Sequence, residues 1–449
     1  MNMINVRRLT VMTFLGAGML SGISAQVSPL QVDTLKETKI PDQWDLQSCI
    51  DYAKEQNITI RKNRITAAST QIDVKTAKAA MFPSLSFSTG QQVVNRPYQE
   101  TSSRVSGSEI ISSNSKTSYN GNYGLNASWT LYNGNKRLKT IQQEKLNNQM
   151  AELDVATSEN NIQESIAQVY IQILYAAESV KVNENTLQVS IAQRDRGQEL
   201  LNAGSIAKSD LAQLEAQVST DRYQLVTAQA TLEDYKLQLK QLLELDGENE
   251  MNIYLPALSD ENVLAPLPTK RDVYISALSL RPEIEASKLN VEASELGINI
   301  AKSSYFPTIS LSAGIGTNHT SGSDFTFGEQ VKNGWNNSIG LSVSVPIFNN
   351  RQTKSAVQKA KLQYETSMLS LLDEQKALYK TIESLWLDAN SAQQRYAAAN
   401  EKLKSTQISY ELISEQFNLG MKNTVELLTE KNNLLQAQQE QLQAKYMAI

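Results

Sequence analysis

Two long stretches without proline restrict this chain to extended helical architectures. The segment from Lys136 to Leu201 contains no proline and a single glycine, Gly197, and the segment from Arg351 to Asn418 contains neither residue type. Proline ends or kinks a helix and glycine weakens it. An uninterrupted helix over the first segment would extend roughly 99 Å at 1.5 Å per residue, longer than an ordinary domain. The sequence therefore predicts two very long helices.

Both segments carry apolar residues at three- and four-residue spacings among Gln, Asn, Ala and charged residues, as at Ile162, Ile166, Val169 and Ile173. This pattern is typical of coiled-coil-like packing with a wide polar face. We interpret the apolar stripes as packing seams and assign them no further role.

The sequence also contains two copies of one pattern. MFPSLSFSTG at residues 81–90 matches YFPTISLSAG at residues 305–314. Three further pairs occur in the same order in both halves, one before the Phe-Pro pair and two after it: CIDYAKEQNITI with VYISALSLRPEI, LNASWTLYNGNKR with LSVSVPIFNNRQT, and LLNAGSIAKSDL with QFNLGMKNTVEL. A repeated order of motifs indicates an internal duplication. Each half is predicted as helix, strand, loop, strand, very long helix, glycine-containing turn and helix.

These patterns divide the chain into four predicted parts. Residues 1–25 have the basic start, apolar stretch and small terminal residues of a secretory signal peptide. The first repeat covers 26–245, a proline-containing linker 246–269, and the second repeat 270–449. Within the repeats the predicted elements are strands at about 82–95, 119–131, 306–317 and 338–348, long helices at 136–201 and 350–418, turns at Gly204 and Gly420, and final helices at 206–245 and 423–449.

The predicted strands alternate between apolar residues and small polar residues, as in Ile309, Ser310, Leu311 and Ser312. In a soluble sheet the apolar face would cover a core, whereas in an outer-membrane barrel it would contact lipid. The export signal and the small, uncharged polar face favour the barrel. Four strands cannot close a barrel, and open edges in lipid leave backbone groups unpaired, so an oligomer would have to supply the remaining strands.

Other features narrow the possible functions. The loops at about 91–118 and 317–336 are rich in Ser, Asn, Gly and Thr, which is typical of long extracellular loops, and His319 in the second loop is expected to be solvated. Cys49 is the only cysteine and is expected to be buried. The formal net charge of -5 gives no basic excess, so no nucleic-acid partner is expected.

Together, the signal peptide, the doubled strand and helix unit, and the glycine-containing turns resemble the TolC-like outer-membrane efflux protein family, the outer-membrane factors of tripartite efflux and type I secretion systems. The resemblance covers essentially the whole mature chain. It implies a mainly α protein with membrane β structure: a homotrimer whose twelve strands, four per chain, close one β-barrel, and whose twelve helices form a periplasmic α-barrel.

The implied function is an outer-membrane exit duct of a Gram-negative bacterium, with a long periplasmic extension. Substrates would pass through it passively from an inner-membrane transporter and a periplasmic adaptor (membrane fusion protein) to the exterior, with drugs, metals and secreted polypeptides all possible as cargo. Outer-membrane lipid is the remaining expected partner. No catalytic, cofactor-binding or metal-binding residues are predicted, and the chain is not expected to be an enzyme.

The paired motifs at Phe82-Pro83 and Phe306-Pro307 are interpreted as helix-to-strand transitions. Proline ends a helix, restricts the preceding residue to extended geometry and is tolerated at the start of a strand.

By the resemblance, the turns at the far end of the long helices, Gly204-Ser205 and Gly420-Met421, dock the adaptor. Glu426 matches an acidic ring at the periplasmic aperture, Thr429 replaces the family's second acidic residue, and Glu430 is adjacent. Asp210 and Lys422 match positions that tie neighbouring helices shut, and Phe417 stands where the family has an aromatic hydroxyl.

Two other classes of protein remain as alternatives. A periplasmic adaptor or scaffold coiled-coil protein without a pore would explain the long helices, but an adaptor would show one helical hairpin rather than two matched units. An exported enzyme would have His319 as its only histidine, and no phosphate-binding motif ending in Gly-Lys-Ser/Thr is present to bind ATP.

Overall fold

The computed structural model describes residues 41–98, 102–106, 109–113, 116–246, 251–256, 263–321, 323 and 325–449. The predicted signal peptide at residues 1–25 lies outside this part of the chain.

Helices make up most of the described chain. Their bounds are α1 Leu46–Gln56, α2 Ile58–Ala79, α3 Lys136–Asn202, α4 Lys208–Leu242, α5 Lys270–Leu280, α6 Pro282–Ser303, α7 Phe327–Asn333, α8 Gln352–Asn418 and α9 Thr424–Ala448. The long helices α3 and α8 each contain 67 residues, which corresponds to roughly 100 Å. Within the described ranges, no helix is both long and apolar enough to cross a membrane.

Each long helix packs against shorter helices along its length. Helix α3 packs against α4 in a hairpin and also contacts α2 and α6, while α8 forms a hairpin with α9 and contacts α6 and α5. Helix α9 also packs against α3, so the two hairpins of the chain share one seam.

The strands form two separate antiparallel sheets. Their bounds are β1 Ser84–Asn95, β2 Ser102–Ser106, β3 Glu109–Ser113, β4 Thr117–Asn133, β5 Thr308–Thr320 and β6 Asn336–Ser344. The main sheet has the order β1-β4-β5-β6, and among the described residues β2 pairs with β3 in a separate hairpin. Strand β1 ends at Asn95, as the predicted strand at about 82–95 does, and the predicted loop beyond it contains the β2-β3 hairpin.

The register of the main sheet places mostly apolar side chains on one face and mostly small polar side chains on the other. On one face, cross-strand rows join Leu85, Ala127, Ala313 and Ile339, and then Trp129, Leu311 and Leu341. On the other face the rows are Ser84, Ser128, Ser312 and Gly340, and then Ser86, Asn126, Gly314 and Ser338. The apolar face is open, since Ile339 is 78% and Leu85 is 70% exposed.

The junctions between helix and strand lie where the sequence has its Phe-Pro pairs. Helix α2 ends at Ala79 and β1 begins at Ser84, and helix α6 ends at Ser303 and β5 begins at Thr308. The return from β4 to α3 passes through Gly134, whose φ of +66° lies in the left-handed region.

The main core lies at the level of the middle of α3. Ile166, Tyr170 and Ile173 of α3 pack there with Trp44, and the cluster also includes side chains of α1, α4 and α9. Cys49 belongs to the same cluster and is 0% exposed, and this burial raises the pKa of its thiol to about 12. A thiol with so high a pKa is chemically inert at neutral pH.

The predicted linker packs against both halves of the chain. Residues around Ile253 pair with Trp44, through hydrogen bonds from Trp44 N to Asn252 O at 2.8 Å and from Tyr254 N to Trp44 O at 2.9 Å. Val263 is 1% exposed and packs against Tyr396 of α8.

The second predicted loop also contains regular structure. Helix α7 begins with a capping box, in which Thr326 and Glu329 bond each other's backbone N–H groups. The expectation that His319 is solvated was wrong: it lies near the end of β5, is 9% exposed, and packs against the rings of Tyr119 and Phe327.

Candidate functional site

The two hairpins end in turns of identical hydrogen bonding. After α3, Gly204 N donates to Leu201 O at 2.9 Å and Ser205 N to Leu200 O at 2.8 Å. After α8, Gly420 N donates to Phe417 O and Met421 N donates to Gln416 O, both at 2.9 Å. Both are Schellman motifs. Such motifs need a left-handed residue, and Gly204 and Gly420 have φ of +75° and +73°.

Acidic residues begin the returning helices. The Asp210 carboxylate accepts a hydrogen bond from the backbone N–H of Ala207 at 3.0 Å, so it caps the start of α4. At the start of α9, Asn423 Oδ1 accepts from Glu426 N at 2.9 Å, and Glu426 Oε2 accepts from Asn423 N at 3.2 Å. This reciprocal arrangement is a complete capping box.

Glu426 carries a second contact beside its capping role. Lys422 Nζ donates to Glu426 Oε1 at 2.6 Å, one helical turn away. The hydrogen bonds from Lys422 and from the Asn423 backbone lower the pKa of the Glu426 carboxyl, so this group is ionised at neutral pH. Glu430, one turn further along α9, accepts a hydrogen bond from Ser409 of α8 at 3.1 Å.

The predicted aperture residues therefore all lie near the ends of the two hairpins. Within one chain, however, Asp210 and Lys422 do not contact each other. Lys422 contacts Glu426, whereas Asp210 bonds its own helix. A bond between Asp210 and Lys422 stays a prediction, and it would have to replace these local contacts.

A buried charged cluster above the turns was missed by the sequence analysis. Lys431 of α9 donates to Asp221 of α4 and to Ser190 of α3, and Ser190 donates to the same Asp221 oxygen. Lys431 and Asp221 side chains are only 3% and 1% exposed. Burial lowers the pKa of the Lys431 ammonium, while Asp221 opposes this by hydrogen bonding and by its charge.

Further polar contacts surround this Ser190–Asp221–Lys431 cluster. Gln217 of α4 donates at 2.9 Å to Oδ1, the Asp221 carboxylate oxygen that Lys431 and Ser190 do not contact. Both oxygens of the Asp221 carboxylate therefore accept hydrogen bonds. Gln193, one turn from Ser190 on α3, donates to the Tyr410 hydroxyl of α8 at 2.9 Å. The four helices of the two hairpins are thus connected by side-chain hydrogen bonds near one level.

A sequence signal for this cluster exists. Lys431 falls between Leu427 and Leu434 at the spacing of the buried face of α9, and Asp221 follows Leu214 and Val218 at the same spacing in α4. A charge inside an apolar stripe indicates a buried, paired group.

No group of three or more His, Cys, Asp or Glu side chains among the described residues is arranged to hold a metal ion.

Comparison with known proteins identifies the family. A model of the outer membrane efflux protein family matches residues 49–244 and 273–448, and so covers most of the chain in two segments. This chain belongs to the outer membrane efflux protein family. The resemblance read from the paired motifs and turns is thereby confirmed.

Curated members of the outer membrane efflux protein family are distant in sequence. The chain is 24% identical over 293 residues to outer membrane efflux protein BepC of Brucella suis biovar 1 (strain 1330), covering 65% of this chain and 61% of BepC. It is also 24% identical over 289 residues to outer membrane protein TolC of Escherichia coli (strain K12), covering 62% of this chain and 57% of TolC. The chain therefore spans about three fifths of these relatives in each alignment.

Solved structures extend the similarity to nearly the whole chain. The crystal structure of the outer membrane protein VceC from Vibrio cholerae superposes with a TM-score of 0.74 at 15% identity, covering 90% of this chain and 93% of VceC. The Campylobacter jejuni CmeC outer membrane channel superposes with a TM-score of 0.71 at 17% identity, covering 93% of this chain and 88% of CmeC. The fold is that of the TolC-like efflux channels, mainly helical with a four-stranded main sheet in each chain.

Proposed function

We propose that this protein is the outer-membrane exit duct of a tripartite efflux or type I secretion system. One observation carries the proposal: the four-stranded sheet has one largely apolar, open face, and a 67-residue helix follows its strands β4 and β6 in the chain. A lipid-facing band above a long hollow helical extension accounts for both parts, and membership of the efflux family agrees with it.

The open edges of the sheet support an oligomer. Among the described residues, β1 pairs only with β4 and β6 pairs only with β5 in the main sheet, so each has one unpaired edge. Unpaired edges are not tolerated in a bilayer. Three copies would contribute twelve strands, pairing β1 of one copy with β6 of the next, and the internally duplicated helices would form a twelve-helix tunnel. In a homotrimer every strand edge of the barrel would therefore be hydrogen-bonded.

The polar face of the sheet supports a wet pore. Its cross-strand rows consist mainly of serine, asparagine, glycine and threonine, which can line a water-filled lumen, while the opposite face suits lipid. Passage through such a lumen is passive, and a transporter in the inner membrane would supply the energy through a periplasmic adaptor. The protein is then a conduit and not an enzyme, located in the outer membrane of a Gram-negative bacterium.

The hairpin ends are the proposed contact with the adaptor. Met421 is 71% and Leu419 is 70% exposed, so the second turn presents apolar side chains to its surroundings. The adaptor-docking turns are Gly204-Ser205 and Gly420-Met421. Beside them, Asp210, Lys422, Glu426 and Glu430 are proposed to line the periplasmic aperture, where three copies would bring their charges together.

Electron microscopy of the detergent-extracted protein, combined with particle mass, tests the proposed function. A threefold tube more than roughly 100 Å long is expected, because helices of 67 residues have that length. A monomer that remains soluble without detergent would instead support an adaptor or scaffold without a pore.

The aperture assignment predicts altered ion conduction in planar bilayers. Glu426→Ala removes a carboxylate that is ionised at neutral pH and should lower the cation preference about twofold or more. Lys422→Ala removes the partner of Glu426 and should raise the open conductance. Glu233→Ala, which breaks an exposed pair with Lys236 far from the turns, is the matched control. Currents unchanged in both aperture variants would remove this assignment.

A further inference from the structure

The Ser190–Asp221–Lys431 cluster joins three helices across the seam between the two hairpins. Ser190 and Asp221 belong to the α3–α4 hairpin and Lys431 to the α8–α9 hairpin. Lys431 lies seven positions after Thr424, the first residue of α9, which places it roughly 10 Å above the turn at 1.5 Å per residue. The proposed aperture residues Lys422 and Glu426 therefore lie between the cluster and the tip.

Buried apolar side chains flank the cluster along α4 and α9. Leu211, Leu214 and Val218 of α4 and Leu427 and Leu434 of α9 are all less than 10% exposed. Replacing a buried ion pair by well-packed apolar residues is often neutral or stabilising, because both ions lose their hydration on burial. Maximal stability therefore does not explain why two charges occupy this seam.

Separation of the hairpins has opposite consequences for charged and apolar side chains. When a seam parts and water enters, apolar side chains lose their burial, whereas Lys431 and Asp221 regain hydration. When the seam is closed and dry, Lys431 and Asp221 pair with each other. When it is open and wet, each is hydrated by water. The cluster can therefore hold the hairpins together and still lower the free energy needed to part them.

We propose that the Ser190–Asp221–Lys431 cluster is a polar clamp that keeps the two hairpins together above the closed aperture and allows them to separate when it opens. The aperture part of this inference rests on the proposed channel function. The three residues are positioning residues, because they act on the aperture through the helices that carry Lys422 and Glu426.

Two variants separate the clamp from a merely structural role. Lys431→Met leaves Asp221 buried without its partner, so amide hydrogen exchange at residues 427–435 should accelerate about a hundredfold and the channel should open more often. Asp221→Leu/Lys431→Met replaces both charges by apolar groups, so exchange should slow about tenfold and opening at raised voltage should become rarer than in the wild type. Lys402→Met is the matched control, because it breaks an exposed α8–α9 pair with Glu440.

Opposite shifts of the two variants, in exchange and in conductance, support the clamp. A double variant that opens as often as the wild type would overturn it, and so would a single variant with unchanged exchange. If the Lys431→Met protein does not assemble, the opening frequency of the double variant alone tests the clamp, since its apolar replacements preserve packing. A wild-type chain that forms no pore would contradict the proposed function, whereas opposite exchange shifts would still support the clamp between the hairpins.

Discussion

Ile339→Arg is expected to prevent stable insertion of the protein in the outer membrane, while Ser338→Arg, one residue earlier on the same strand, is expected to be tolerated. Ile339 lies in the row of Leu85, Ala127 and Ala313 near the middle of the sheet, on the apolar face. An arginine facing lipid near the bilayer midplane costs about 2–4 kcal/mol, and every copy would carry one.

Ser338 provides the control, because its side chain lies on the opposite face of the same strand. Ser338 pairs with Gly314 on the face of serine, asparagine and glycine, where an arginine would extend into water. The measurement is the amount of oligomer extracted by detergent from isolated membranes, compared with the total protein made. Equal loss in both variants, or in neither, would contradict a lipid-facing role for the apolar face.

Gly134→Ala is expected to destabilise the protein far more than Gly420→Ala. Gly134 has φ of +66°, and an added Cβ would lie 2.7 Å from the backbone oxygen of Ser303 and 2.9 Å from the Cβ of Phe306. A left-handed backbone costs a non-glycine residue about 1–2 kcal/mol, and forced overpacking costs about 1–3 kcal/mol more. The two penalties act together at Gly134, so the expected loss is roughly 2–5 kcal/mol.

Substitution of Gly420 measures the cost of the left-handed backbone without the steric cost of overpacking. The φ of Gly420 is +73°, but no atom lies within 4 Å of a Cβ built there, so only the cost of about 1–2 kcal/mol applies. Thermal unfolding of the detergent-solubilised variants, followed by circular dichroism of the helices, measures both losses. A Gly134 variant as stable as the Gly420 variant would mean that the junction adapts around the added methyl group.

The junction at Gly134 also illustrates what sequence patterns can predict. The Phe-Pro pairs and the Asn133-Gly134 pair between β4 and α3 have strong local backbone preferences, so the ends of helices and strands near them are visible in the sequence. Alternation along β5 and β6 likewise determines which side chains share a face, because side chains on a strand repeat every two residues.

Other features were missed for identifiable reasons. The capping box that begins α7, Thr326 with Glu329, was present in the sequence but was hidden within a segment interpreted by composition as a loop. The burial of His319 depends on Tyr119 of a strand about 200 positions away, and local patterns contain no such information. Lys431 and Asp221 stood out only as charges within apolar stripes, and their pairing required the packing of α9 against the other hairpin.

The burial of Cys49 also has a practical consequence for spectroscopy. The chain has one cysteine, and that thiol is 0% exposed, with a pKa raised to about 12. Maleimide and methanethiosulfonate reagents need an accessible thiolate, so the folded protein is already protected from labelling. A cysteine introduced at exposed Ser205 would carry the single attached fluorophore or spin label in each copy. In the proposed trimer, distances between copies at the hairpin ends could then be measured without removing the native cysteine.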